Sequence, residues 1–261
     1  MRIVTPWIKP RVSRGQWAER LLPAATIRRP EGDGPWPLVL QMHGCGGLRP
    51  LQAVYAERAV QAGYAVMTID SFKPRGLSRV TASLTVCTGL ALHGAERAAD
   101  LFALYDWARH QSWVDHRHIV ACGWSHGGWT IMDALAMGTD AAAYTGLTDL
   151  PPRPLDGLAG AILIYPYASF PSLTRRRGWP DHDLPVFALL SGKDQVVGTR
   201  HPPAAFDHLE HQGLVVDRLI LPDATHAFDD HGANDPRAVF RPDLREQAVD
   251  WYGRALEAIA K

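Results

Sequence analysis

Cysteine is scarce. Only Cys45, Cys87 and Cys122 occur in 261 residues, too few for a disulfide scaffold and too widely spaced for a zinc motif. Reduced, buried thiols are the simplest expectation, with a single Cys45–Cys87 bridge as the alternative. Charge imbalance is missing as well. Twenty-seven Lys plus Arg meet 27 Asp plus Glu, and no basic block occurs, which removes the electrostatic footprint of a nucleic-acid binder. The longest apolar stretch, residues 157–168, is interrupted by Pro166 and falls short of the roughly 20 residues a membrane helix needs. The opening MRIVTPWIKPRVSRG is basic but has no apolar run of the kind found in secretory signals. A cytoplasmic protein is therefore expected, or a periplasmic or secreted one if the chain is a processed form. No pair of His or Asp has a ligand spacing supported by its context, so no metal is expected.

What the chain does contain is apolar substance and many turns. Hydrophobic residues make up 46%, with 9 Trp, 12 His and 20 Pro. The prolines enforce turns and exclude long coiled coils and disordered tails. No repeat or Gly/Ser linker divides the sequence, so one domain over 1–261 is expected, with 1–36 an N-terminal extension bearing the first strands and 37–260 the core. Short apolar runs alternate with helical patterns. PLVLQMHG (37–44), YAVMTID (64–70), HIVACGWS (118–125), AGAILIYP (159–166), PVFALLSG (185–192) and VVDRLILP (215–222) read as strands. Residues 51–62, 94–110, 129–137, 203–212 and 243–260 read as helices. The runs hardly alternate apolar with polar, which marks strands buried on both faces in a parallel sheet covered by helices. Right-handed crossovers then give a doubly wound α/β fold, and chemistry belongs beyond the carboxyl ends of its strands.

Three such ends carry matching groups. Gly123-Trp124-Ser125-His126-Gly127 is G-x-S-x-G between a strand and a helix, a sharp turn that presents a serine hydroxyl. A hydroxyl needs a base to take its proton, and His226 follows the last strand. His231 is its one rival. The base needs a carboxylate to fix its tautomer, and Asp194 follows the strand 185–192. Asp70 reads as structural, and Asp223, Asp229 and Asp230 are weaker alternatives. The order Ser125, Asp194, His226 is that of an α/β-hydrolase. The glycine-rich His43-Gly44-Cys45-Gly46-Gly47 loop, after another strand, is a source of oxyanion donors, and the Cys45 and His126 backbone N–H groups are the expected pair. Phe72, Trp124, Tyr167, Trp179 and Phe228 flank strand ends and are candidate pocket walls. Arg75 is a candidate for holding a substrate carboxylate, or else a solvated loop charge.

Taken with their separations, HGCGG, GWSHGG, SGKDQVV and ATHAF resemble the dienelactone hydrolase family over 37–260. The resemblance implies an α/β-hydrolase fold with a sheet of about seven or eight strands, no cofactor, a Ser125–Asp194–His226 triad, and a pocket bordered by DSFKPRG (70–76). Two departures are visible. The family's nucleophile is a cysteine, where this chain has Ser125. The family also carries a glutamate in the loop that here reads His-Gly-Cys, and an arginine shortly after the catalytic histidine, where this chain reads Ala227-Phe228-Asp229-Asp230. The expected activity is a carboxylesterase-type hydrolysis of small esters through an acyl-enzyme. Amide or peptide cleavage by the same triad, lactone hydrolysis and a non-catalytic binding module are the alternatives. The expected partner is a small-molecule ester, with no nucleic acid or membrane, and the chain is expected to act as a monomer or homodimer.

Overall fold

The computed structural model describes residues 9–233 and 235–261, so the first eight residues of the expected N-terminal extension lie outside the described residues. Seven strands form one sheet: β1 (Ala25–Arg28), β2 (Trp36–Met42), β3 (Ala65–Ile69), β4 (Val114–Trp124), β5 (Gly160–Ile164), β6 (Val186–Ser191) and β7 (Val216–Leu221). Their order is β1-β3-β2-β4-β5-β6-β7. All neighbours are parallel except β1, which runs antiparallel to β3 at the edge. The helices between them are α1 (Arg14–Leu21), α2 (Pro50–Gln61), α3 (Arg79–Thr85), α4 (Gly94–Arg109), α5 (His126–Ala136), α6 (Ala141–Thr145), α7 (Thr174–Arg177), α8 (His201–His211) and α9 (Pro242–Ile259).

Successive strand side chains point to opposite faces, and here both sets are apolar. Leu38, Leu40, Ile119, Ala121, Ala161 and Leu163 face a core shared with α1, α4, α5 and α8. Val39, Val120, Cys122, Ile162 and Ile164, from the intervening positions, meet α2 and α9 on the other side. This double burial is why the runs scarcely alternate. The strand order reverses between β2 and β4, so the loops leaving their carboxyl ends diverge and open a crevice.

Several elements depart from the sequence reading, which also did not anticipate α1, α6 and α7. Strand β4 begins at Val114 rather than 118, because Val114 pairs with Trp36 although the segment between carries Asp115, His116 and Arg117. Helix α5 starts at His126 rather than 129, directly after the serine. Helix α3 was not read at all: its Val80 and Leu84 are exposed, so it lacks an inward apolar stripe.

Candidate active site

Strand β4 ends where α5 begins, and Ser125 occupies the junction with φ 51° and ψ −110°. Such a backbone is costly for a residue with a β-carbon, and the close packing around it holds it there. A β-carbon on Gly127 would run into the Met42 carbonyl, and one on Gly123 would run into the Gly127 backbone. Glycine at both positions lets helix and strand approach closely enough to lift the Ser125 side chain out of the sheet.

Two further strand ends bring their residues to this point. Ser125 Oγ lies 2.9 Å from His226 Nε2, and His226 Nδ1–H donates to Asp194 Oδ2 at 2.7 Å. Asp194 Oδ1 accepts the Val196 and Val197 backbone N–H groups, each at 2.9 Å, so the carboxylate is fixed from both sides. All three side chains are largely buried. The contact to Asp194 thus selects the His226 tautomer whose Nε2 faces the hydroxyl.

The loop after β2 packs on the same turn. A β-carbon on Gly44 would sit 3.6 Å from Ser125 Cβ, and the Gly47 N–H closes a turn onto the Gly44 carbonyl at 3.2 Å. His43 Nδ1–H donates to the Gly44 carbonyl at 2.6 Å, and its Nε2 accepts the Ser71 N–H at 3.2 Å. Opposite this loop, the first N–H groups of α5 have no helical acceptor. Burial, then the neighbouring Arg97 charge, hold the His43 and His126 rings well below the usual histidine range, hence neutral.

Ser125 and His226 open into a cavity of about 580 Å³ lined also by Gly44 to Gly47, Trp124 and Tyr165. Arg79, Ser83, Cys87 and Thr88 make one wall. A disulfide joins Cys45 to Cys87, with Cα atoms 5.1 Å apart. The expectation of three reduced thiols is therefore corrected: Cys122 alone is free, and it is buried.

Most of the expected substrate contacts lie elsewhere. Trp124 does border the cavity. The Arg75 side chain is fully buried and makes a two-pronged ion pair with Asp100 at 2.9 and 2.8 Å, so it is neither a solvated charge nor available to a substrate carboxylate. Phe72 is buried with its ring 4.6 Å from that of His43. Residues 70–76 consequently lie behind the Gly44 to Gly47 loop, and α3 with the turn after it takes the wall expected of them. Trp179 is a core residue whose Nε1–H donates to the Met132 carbonyl at 3.0 Å. Phe228 is fully buried beside Tyr165. Tyr167 packs on Trp129 and donates its hydroxyl to the Phe170 carbonyl at 2.6 Å.

The rival groups are engaged as well. His231 packs against Phe240, Asp70 caps the Phe72 and Lys73 N–H groups, Asp223 pairs with Lys193 and Asp230 with Arg49. Asp229 accepts the Tyr55 and Tyr165 hydroxyls, both at 2.7 Å, and burial raises its carboxyl above the usual range. Tyr165, which the sequence reading passed over, stands with its ring 4.9 Å from that of His226. Its signal was available, since it is the first residue after β5.

Among solved structures, the dienelactone hydrolase-like promiscuous phosphotriesterase P91 from metagenomic libraries superposes with a TM-score of 0.67 at 17% identity, covering 90% of this chain and 99% of that one. The butyrate-bound esterase Est2 of Thermogutta terrifontis gives 0.64 at 18% identity over 90% of this chain and 88% of its own. At such identities the likeness is one of fold. An Escherichia coli 31.7 kDa protein from the traX-finO intergenic region is 31% identical over 114 residues, 43% of this chain and only 37% of that protein. Wider coverage comes from the sequence profile of the dienelactone hydrolase family, which matches residues 24–256 and so takes in all seven strands and the strand ends described above. On that span the chain belongs to the dienelactone hydrolase family.

Proposed function

We propose that this protein is a serine hydrolase that cleaves carboxylic esters of small substrates. The observation that carries the reading is the continuous hydrogen-bonded chain from Ser125 through His226 to Asp194, at 2.9 and 2.7 Å, opening into a cavity of about 580 Å³. His226 Nε2 takes the hydroxyl proton as Ser125 Oγ attacks the ester carbonyl, and Asp194 steadies the imidazolium. The Cys45 and His126 backbone N–H groups bind the negative oxygen of the tetrahedral intermediate. Collapse breaks the bond to the alcohol, which leaves with the proton from His226. Water, deprotonated by the same Nε2, attacks the acyl-enzyme and releases the acid, returning the proton to Ser125. The cavity falls within the usual range for small-molecule sites, and the fold neighbour from Thermogutta terrifontis was crystallised with butyrate, which favours short acyl chains. The Cys45–Cys87 disulfide favours an oxidising compartment over the cytoplasm.

A fluorophosphonate probe and a panel of p-nitrophenyl esters from acetate to long acyl chains test the reading. Labelling of the wild type but not of Ser125→Ala, with hydrolysis concentrated on short chains, is expected. A folded wild type that is neither labelled nor active overturns it, and faster turnover of a matched anilide would move the assignment to amide cleavage.

A further inference from the structure

Arg97, in the first turn of α4, is fully buried. A buried arginine is ordinarily neutralised by an acid, yet among the described residues Arg97 makes no hydrogen bond to a carboxylate. Its neighbour Asp100 is held by the two-pronged pair with Arg75. Arg97 instead donates Nη1–H to the His43 carbonyl at 2.7 Å and to His126 Nδ1 at 3.1 Å, and Nε–H to Ser71 Oγ at 2.8 Å. Among the described residues its Nη2 is buried without a hydrogen-bond partner. A group of this cost, spent on neutral acceptors, marks a position where something other than stability is served.

Its acceptors belong to two separate pieces of the site. The His43 carbonyl is the last group before the Gly44 to Gly47 loop, and His126 is the residue directly after the serine. The His126 ring is held on its other side too, since Nε2–H donates to the Leu92 carbonyl at 2.8 Å. The His43 ring, by donating to the Gly44 carbonyl, polarises the peptide unit whose other end is the Cys45 N–H. Arg97 thus lies where the oxyanion loop, the nucleophile helix and the segment leading into α4 come together.

Resting on the esterase reading above, we propose that Arg97 is a positioning residue for ester hydrolysis: its guanidinium ties the β2 loop to the start of α5 and so fixes the separation of the Cys45 and His126 N–H groups that receive the oxyanion. The donors must be matched to the transition state rather than to the ground-state carbonyl, so loss of the tie lowers kcat and spares KM.

The test compares wild type, Arg97→Lys and Arg97→Met in burst titration with p-nitrophenyl acetate, which counts working sites, followed by steady-state kinetics. For Arg97→Met, kcat per titrated site should fall on the order of 10²-fold with KM within about threefold. Arg97→Lys, which keeps the charge and one of the contacts, should recover part of it. His126→Gln, which removes the ring from the other end of the tie, should lower kcat per site in the same sense, and the double variant with Arg97→Lys should lose less than the product of the two. A kcat per titrated site equal to wild type in Arg97→Lys and in His126→Gln overturns the proposal, even if Arg97→Met proves too unstable to assay. So does a loss carried by KM alone. A fully folded wild type with neither burst nor Ser125 labelling overturns the esterase reading itself.

Discussion

The chemistry of the site depends on single atoms. Asp194 holds His226 with one oxygen and is itself held by two backbone N–H groups through the other. In Asp194→Asn the amide oxygen satisfies either the backbone donors or the His226 N–H. If it keeps the backbone donors, the amide N–H₂ faces Nδ1 and turns His226 into the tautomer that cannot accept the Ser125 proton. We expect kcat to fall on the order of 10⁴-fold with little change in melting temperature, and p-nitrophenyl acetate turnover beside a thermal melt measures both. Tyr165 presents the opposite case. Its hydroxyl satisfies one oxygen of the buried Asp229, with Tyr55 on the other. Tyr165→Phe leaves that oxygen unpaired, at about 1–3 kcal/mol, while the ring beside His226 stays. A loss seen in urea unfolding with kcat nearly retained is expected, and an undiminished midpoint would show that the Asp229 bond contributes nothing.

At the scale of elements, what was legible followed from burial. Strands β2 to β6 lie between two layers of helix, so their residues had to be apolar on both faces, and the strand ends then narrowed the search to Ser125, Asp194 and His226. Helix α3 escaped because a wall exposed to solvent needs no apolar stripe, and its Val80 and Leu84 point outward. Arg75 was misread because nothing local signals a partner 25 residues away on α4, and Tyr167 was preferred to Tyr165 because sequence does not say which side of a strand's end faces the crevice. The disulfide is a non-local fact of the same kind. It closes a separation of 42 residues, and by chain entropy its loss costs about 2–4 kcal/mol. The consequence for function is more local. Within 79–92 only Ala82, Val86 and Leu92 are buried, so the bond to Cys45 adds a covalent restraint to the small apolar cluster and the Arg79–Leu48 hydrogen bond that hold the α3 wall. Cys87→Ser, or reduction with dithiothreitol, should lower the unfolding midpoint and raise KM for short esters. Equal KM in the oxidised and reduced protein would mean that α3 keeps its place without the tether.

At the scale of the whole molecule, one sheet delivers loops from five strand ends to a single crevice, and the cost is a set of titratable groups sealed inside. His43 and His126 are held neutral by burial and by Arg97, whereas in the unfolded chain each histidine takes up a proton near pH 6.5. Below that pH the unfolded state binds more protons than the folded one, so stability falls as pH falls. Buried carboxyls act in the other direction. Asp229 is raised, and Asp133 is pushed up to about 7, by burial, so the folded state binds more protons than the unfolded one between the ordinary carboxylate range and pH 7, and those groups favour folding as pH drops. The net curve mixes the two signs, and only a difference between chains isolates the histidines. Urea unfolding of wild type and His43→Gln at pH 7.5, 6.5 and 5.5 makes that comparison. The variant should be the less stable protein at pH 7.5, having lost the ring that joins Gly44 to Ser71, and the gap should close toward pH 5.5 by up to about 1.4 kcal/mol per pH unit. A gap that stays constant with pH would mean that His43 takes up its proton in the folded protein as readily as in the unfolded chain, and that the start of the Gly44 to Gly47 loop tolerates an imidazolium.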